Sequence, residues 1–99
     1  MAFKLIRSPP ARLDDKDITN FIAEDTASAA ERFVNNIFQV VERLADFPES
    51  GRIVPELADP AIREIILSPF RIVYRIHRRK RTVEIVRVWH GARGTPGIQ

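Results

Sequence analysis

The sequence predicts an α+β fold: an N-terminal strand, then an antiparallel helical hairpin packed on a small, mainly antiparallel sheet, in the order β-α-α-β-β-β. Three observations carry the prediction. Ala30, Phe33, Val34, Ile37, Val41 and Leu44 recur at steps of three and four, the period of one helix face. The runs 62–67, 70–77 and 82–90 are rich in Val, Ile and aromatic residues and are bounded by turn formers or charge clusters, as strands are. The connections are also short. Asp25-Thr26 alone interrupts the helical pattern, and Arg78-Arg79-Lys80-Arg81 alone separates the last two strands, so each pair folds back on itself. With 99 residues the chain makes a single domain, 1–99.

Each element has a local cause. Phe3–Arg7 is a short apolar run and reads as a strand. Ser8 can cap the helix that follows, and Pro9 and Pro10 are tolerated in its first turn, where amides have no intrahelical acceptor. Ala11, Ile18, Phe21 and Ile22 form a sparse apolar stripe, and Asp14, Asp15 and Asp17 sit early, where the helix dipole favours negative charge. Thr26 can cap the second helix, and Pro48 ends it, giving a helical hairpin over about residues 10–47. Residues 48–61, with Pro48, Gly51, Pro55 and Pro60, read as a loop; Ser68-Pro69 separates the first two strand runs of the second half. The tail from Gly91 holds three glycines and a proline and is expected to be mobile.

The hairpin loop fixes a register. His77 faces Thr82, and regular pairing then runs back to Phe70 opposite Trp89. One face carries Ile76, Tyr74, Ile72 and Phe70 opposite Val83, Ile85, Arg87 and Trp89; it is nearly all apolar and should meet Phe33, Val34, Ile37, Val41 and Leu44. The other face sets Arg75 against Glu84 and brings Arg71 within one diagonal step of His90.

Composition excludes several classes. There is no cysteine, so no disulfide scaffold or thiol chemistry. Two histidines, His77 and His90, make a histidine-rich metal site improbable, and nothing calls for a cofactor. No apolar run approaches the roughly 20 residues that span a bilayer, and Pro9-Pro10 interrupts any signal-peptide core, so a cytoplasmic protein with no membrane partner is expected. Residues 1–50 hold six Lys/Arg and nine Asp/Glu, whereas residues 51–99 hold ten and four. The basic half must present a positive surface, which attracts phosphates or an acidic protein segment.

Arg71 beside His90 suits acid–base work on a phosphodiester: the arginine stabilises negative charge, the histidine moves a proton, and Glu56 from the preceding loop supplies a base. The structural alternative is that Arg71 and Arg75 pair with Glu64 and Glu84 on a solvated sheet. The Arg78–Arg81 loop can likewise grip nucleic acid or stay solvated, and Trp89 can stack on a base or pack in the core.

Phe47-Pro48, Gly51-Arg52, Val54-Pro55-Glu56-Leu57, Ile62-Arg63-Glu64, the strand from Phe70 to Ile76 and the run from Val83 through Trp89-His90-Gly91-Ala92-Arg93 together resemble the RelE/ParE superfamily of bacterial type II toxins. The resemblance covers nearly the whole chain and its element order. It implies a growth-arresting toxin neutralised by a cognate antitoxin that lays an extended or helical segment over it, with operator DNA met only through that antitoxin. RelE-like members cut messenger RNA on the ribosome; ParE-like members poison DNA gyrase without a catalytic step. One ribonuclease branch, similar to YoeB, matches Glu56, Arg71 and His90 position by position. The RelE branch proper relies on clustered lysines and a late tyrosine, which this chain lacks. The long helical hairpin looks more like ParE members. The resemblance therefore implies gyrase inhibition first, a ribosome-dependent mRNA endoribonuclease second and a non-toxic binding module third. Arg52, Arg63, Arg75, Arg78, Arg79, Lys80, Arg81 and Arg93 are the expected contacts for antitoxin or target.

Overall fold

The structure, a computed structural model that describes residues 2–98, follows the predicted order. β1 (Lys4–Arg7) leads into α1 (Pro9–Asp25) and α2 (Ala27–Arg43). β2 (Arg52–Ile53), β3 (Ile62–Leu67), β4 (Phe70–His77) and β5 (Thr82–His90) follow, and Gly91–Arg93 makes one 3-10 turn. β2, two residues inside the proline-bearing loop, has no sequence signal of its own. The sheet runs β1-β5-β4-β3-β2, with β1 parallel to β5 and the other neighbours antiparallel.

The caps act as the sequence requires. Ser8 Oγ accepts the Ala11 N–H at 3.2 Å, and Thr26 Oγ1 accepts the Ala29 N–H at 2.9 Å. Thr26 alone separates the helices, so they turn back on each other. α2 stops at Arg43, in a turn through Asp46, and Pro48 marks only the outer limit of the hairpin.

The helices cover one face of the sheet. Ala11, Ile37, Val41 and Leu44 pack on Ile72, Tyr74, Ile76, Val83, Ile85 and Val88. Phe33 meets Phe70 edge-on, with 5.2 Å between ring centroids. Val34 departs from expectation: it is 47% exposed. By helical angle it belongs to the stripe, about 20° from buried Val41, but it borders an open groove between β1, α1 and α2 instead of the sheet. Phe21 on α1 is exposed because it stands about 80° of helix rotation from buried Ala11. The opposite face is not open. Val54, Ile62, Val73 and Val86 form a second small core, against which Leu57 and Ile98 pack. The tail, expected to be mobile, is folded onto this face: Pro96 is buried, and Gly97 O accepts Arg87 Nη1–H at 3.1 Å.

The β4–β5 register holds as predicted from His77–Thr82 to Tyr74–Ile85 and then changes. The next pair is Val73 with Arg87, so Val86 is an extra residue, and the ladder continues as Ile72–Val88, Arg71–Trp89 and Phe70–His90. This is a β-bulge. Its partners come from the start of α1. β1 ends opposite Ile85, leaving the outer edge of β5 without a strand. There Ser8 N–H donates to Ile85 O and Ser8 Oγ–H to Val86 O, each at 2.9 Å. Asp14 Oδ2 accepts the Val88 N–H at 2.9 Å, and the same carboxylate takes two 2.7 Å bonds from Arg87.

Candidate functional site

Arg71 is the centre of the densest polar cluster. On the face away from the helices, its Nη1 and Nη2 donate to the two oxygens of Glu56, each at 2.8 Å. Nε and Nη2 donate to Glu64 at 2.5 and 3.2 Å, and Nη1 also donates to Gly94 O at 3.3 Å. Glu64 is buried and accepts a further bond from Arg52 Nε at 2.8 Å. The result is an alternating chain, Glu56–Arg71–Glu64–Arg52. It has two chemical consequences. The five N–H donors of a guanidinium are all engaged, so a substrate phosphate can reach Arg71 only by displacing a resident partner. Arg71 also holds the Glu56 carboxyl down to about 2, which makes it a weak base near neutral pH, while the two carboxylates push the guanidinium pKa up.

The bulge sends His90 to the other face. It pairs with Phe70, not with Arg71, and its ring stands edge-on to Phe70 at 5.4 Å. His90 Nδ1 accepts the Ala92 N–H at 3.0 Å, which caps the 3-10 turn. Neighbouring strand residues point to opposite faces, so Arg71 and His90 are parted by the sheet itself. The structure thus brings Glu56 and Arg71 together and leaves His90 out. Trp89 changes face too. It is buried opposite Arg71, not against the helices, with the Arg87 and Arg93 guanidinium groups 4.8 and 4.0 Å from its ring and its indole N–H on Gly94 O at 3.2 Å.

Most of the other basic positions have internal work. Arg63 donates to Pro60 O and Gly51 O at 3.0 and 3.1 Å, holding the loop before β3. Arg78 pairs with Glu49 at 2.9 Å, and Arg81 lies 4.7 Å over the Phe3 ring. Glu84, opposite Arg75, instead meets His77 Nε2 at 2.9 Å. Among the described residues, the side chains of Arg75, Arg79 and Lys80 make no hydrogen bond or ion pair.

One feature escapes the sequence patterns: a groove of about 720 Å³ between β1, α1 and α2. Leu5, Ile6, Phe33, Val34, Ile37 and Phe38 supply its apolar wall. Val34 and Phe38, at i and i+4 on the flank of the α2 stripe, are its available signal. An Arg7–Asp15 ion pair lies at its polar side, and burial raises the Asp15 pKa despite the arginine. Among the described residues, no cluster of His, Asp and Glu could hold a metal, and no helix is long and apolar enough to cross a membrane.

The family model for the ParE toxin of type II toxin–antitoxin systems (parDE) matches residues 5–94, from β1 to the end of the 3-10 turn. The chain belongs to the ParE toxin family. A curated relative, the Sinorhizobium fredii protein Y4kP, which carries a provisional toxin name, is 38% identical over 89 residues, or 88% of this chain and 84% of its own. Among solved structures, the chromosomal ParDE system of P. aeruginosa superposes with a TM-score of 0.73 at 21% identity, over 90% of this chain and 96% of that one. The toxin–antitoxin complex RelBE2 of Mycobacterium tuberculosis gives 0.68 at 22% identity, over 91% and 99%. A mutant of the E. coli toxin RelE in the free state gives 0.67 at 15%, over 95% and 88%. These structural likenesses speak to the fold, and they span ParE and RelE members alike. The fold therefore does not choose between a ParE and a RelE activity; the arrangement of side chains on it must.

Proposed function

We propose that this chain is the growth-arresting toxin of a type II toxin–antitoxin pair and that it acts by occupying a surface of DNA gyrase, not by cutting RNA. The observation that carries this reading is the separation of His90 from Arg71. Cleavage of an RNA phosphodiester by acid–base chemistry needs a proton donor or acceptor within about 3 Å of the reacting atoms and a cation at the same phosphate. Here the histidine caps a turn on one face while the arginine is saturated on the other. The carboxylate that could act as a base is locked to that arginine. Inhibition by contact requires none of these groups to move a proton.

The cognate antitoxin fits the groove beside β1. An apolar trough next to a strand edge accepts a helix or strand of a partner, and Val34 and Phe38 are exposed there. The named P. aeruginosa and M. tuberculosis relatives are toxin–antitoxin systems, which supports such a partner. The decisive experiment is expression of wild type and His90→Gln, each scored for growth arrest, DNA breaks and transcript ends. Both should arrest growth with gyrase-dependent breaks and intact transcripts. A folded but inert His90→Gln, beside a wild type that cuts transcripts, would replace this reading with the ribonuclease.

A further inference from the structure

We infer that the β4–β5 tip is a docking site for the phosphodiester backbone of duplex DNA, separate from the Arg71 cluster. The tip is Arg78-Arg79-Lys80-Arg81, and its composition works against its own turn. Four adjacent like charges repel. Arg81 also adopts φ 47°, the left-handed region where glycine or asparagine is favoured. A turn chosen only to close a hairpin would carry those residues instead.

The surrounding structure adds charge. Exposed Lys4 is fastened beside the turn, its N–H donating to Arg81 O at 2.8 Å. The carboxylates near it are already engaged: Glu49 by Arg78, Glu84 by His77 Nε2 at 2.9 Å, and Asp59, whose Oδ1 accepts the Ala61 N–H at 2.9 Å. Asp59, Pro60 and His77 line an open hollow of about 520 Å³ with Arg78, Arg79 and Lys80. Arg79 and Lys80 are left exposed with no side-chain partner among the described residues, a surplus of positive charge at the tip.

Such a surplus binds a polyanion by releasing its counterions. The form of the polyanion follows from what the tip lacks. Single strands are held by stacking bases on aromatic rings. The rings at this end are engaged: Phe3 lies under the Arg81 guanidinium, and His77 Nε2 meets Glu84 at 2.9 Å. Phosphates remain as the recognised group, and a duplex presents them most densely. The tip lies seven residues along β4 from Arg71, roughly 23 Å at the strand rise, so DNA here leaves the Arg71 cluster free.

The test is fluorescence anisotropy of the full chain with a labelled DNA duplex of about 20 base pairs across a salt series. Four phosphate contacts predict a slope of log K against log salt of about −3.6, or about 10²-fold weaker binding at 200 mM than at 50 mM. Arg79→Ala with Lys80→Ala should flatten that slope by about 2 and weaken binding at 50 mM at least tenfold. Lys16→Ala with Arg32→Ala removes the same charge from exposed helix positions and should leave the slope unchanged. The inference is overturned if wild type does not bind the duplex at low salt, or if the two double variants lose binding equally. It is also overturned if a single strand binds as tightly as the duplex, or if a polyglutamate peptide competes as well as DNA does.

Discussion

Gly51→Ala should be among the most damaging single-methyl additions in the molecule, for a reason of space and not of backbone angle. The Pro48–Arg52 segment crosses the buried end of Tyr74. Tyr74 Oη–H donates to Pro48 O at 2.7 Å, and Tyr74 Oη accepts the Gly51 N–H at 2.9 Å. Burial of this hydroxyl pushes its pKa up. A Cβ on residue 51 would stand 2.5 Å from Tyr74 Oη, 2.7 Å from Glu64 O and 2.8 Å from Tyr74 Cε1. None of these is a loose side-chain end: one is backbone, and the ring is fully buried. Overpacking costs about 1–3 kcal/mol, and moving the ring breaks buried hydrogen bonds worth about 1–3 kcal/mol each, so a loss of about 3–6 kcal/mol is expected. That is a large share of a small domain's ~5–15 kcal/mol. Tyr74→Phe keeps the ring and should cost about 1–3 kcal/mol by orphaning the Gly51 N–H and the Pro48 carbonyl. The two changes share one clash, so their sum should exceed the double variant's loss by about 1 kcal/mol or more. Urea unfolding followed by Trp89 fluorescence and circular dichroism measures all three. A Gly51→Ala protein within about 1 kcal/mol of wild type would refute the packing argument.

Two further outcomes follow from burial and charge. Ile37→Asp should lose at least about 4 kcal/mol, because it places an unpaired charge in the main core, whereas Val34→Asp should stay within about 0.5 kcal/mol of wild type yet weaken antitoxin binding; equal destabilisation of the two would sink the placement of the groove, and urea midpoints with a pull-down decide. Glu56 titrates lower folded than unfolded, so its pairing with Arg71 stabilises the fold above pH 4.5 and is lost as the pH falls towards 2. Wild type should therefore exceed Glu56→Gln in urea midpoint at pH 7, with the gap closing by pH 2.5; a gap independent of pH would show that the pair contributes nothing through ionisation.

What the sequence discloses follows the range of the contacts involved. Ser8 and Thr26 cap helices whose amides lie three residues away, and both caps are legible. The α2 stripe is legible to within the one flank position of Val34, because helical geometry is local. The β4–β5 ladder is legible as far as Ile85, since a four-residue loop fixes the pairing next to it. Glu56 and Arg71 are singled out by their motif, and Glu64 as a partner of Arg71 by the sheet pattern. The saturation of Arg71 is not legible, because the Gly94 carbonyl reaches it from a tail with no periodicity.

The bulge is the decisive omission. Its polar groups are satisfied by Ser8 and Asp14, and the Asp14–Arg87 contact joins positions 73 residues apart. No window of β4 or β5 contains that information. Yet one extra residue reverses every side chain beyond it, and so moves Trp89 onto the Arg71 face and His90 off it. A chain with the same Glu, Arg and His letters but an unbroken ladder would bring the histidine to the arginine's face, where a shared phosphate could meet both. In this chain the separation of His90 from Arg71, on which the proposed contact mechanism is argued, therefore rests on the bulge at Val86. The residues that hold that bulge lie in the first turns of α1, outside any catalytic motif.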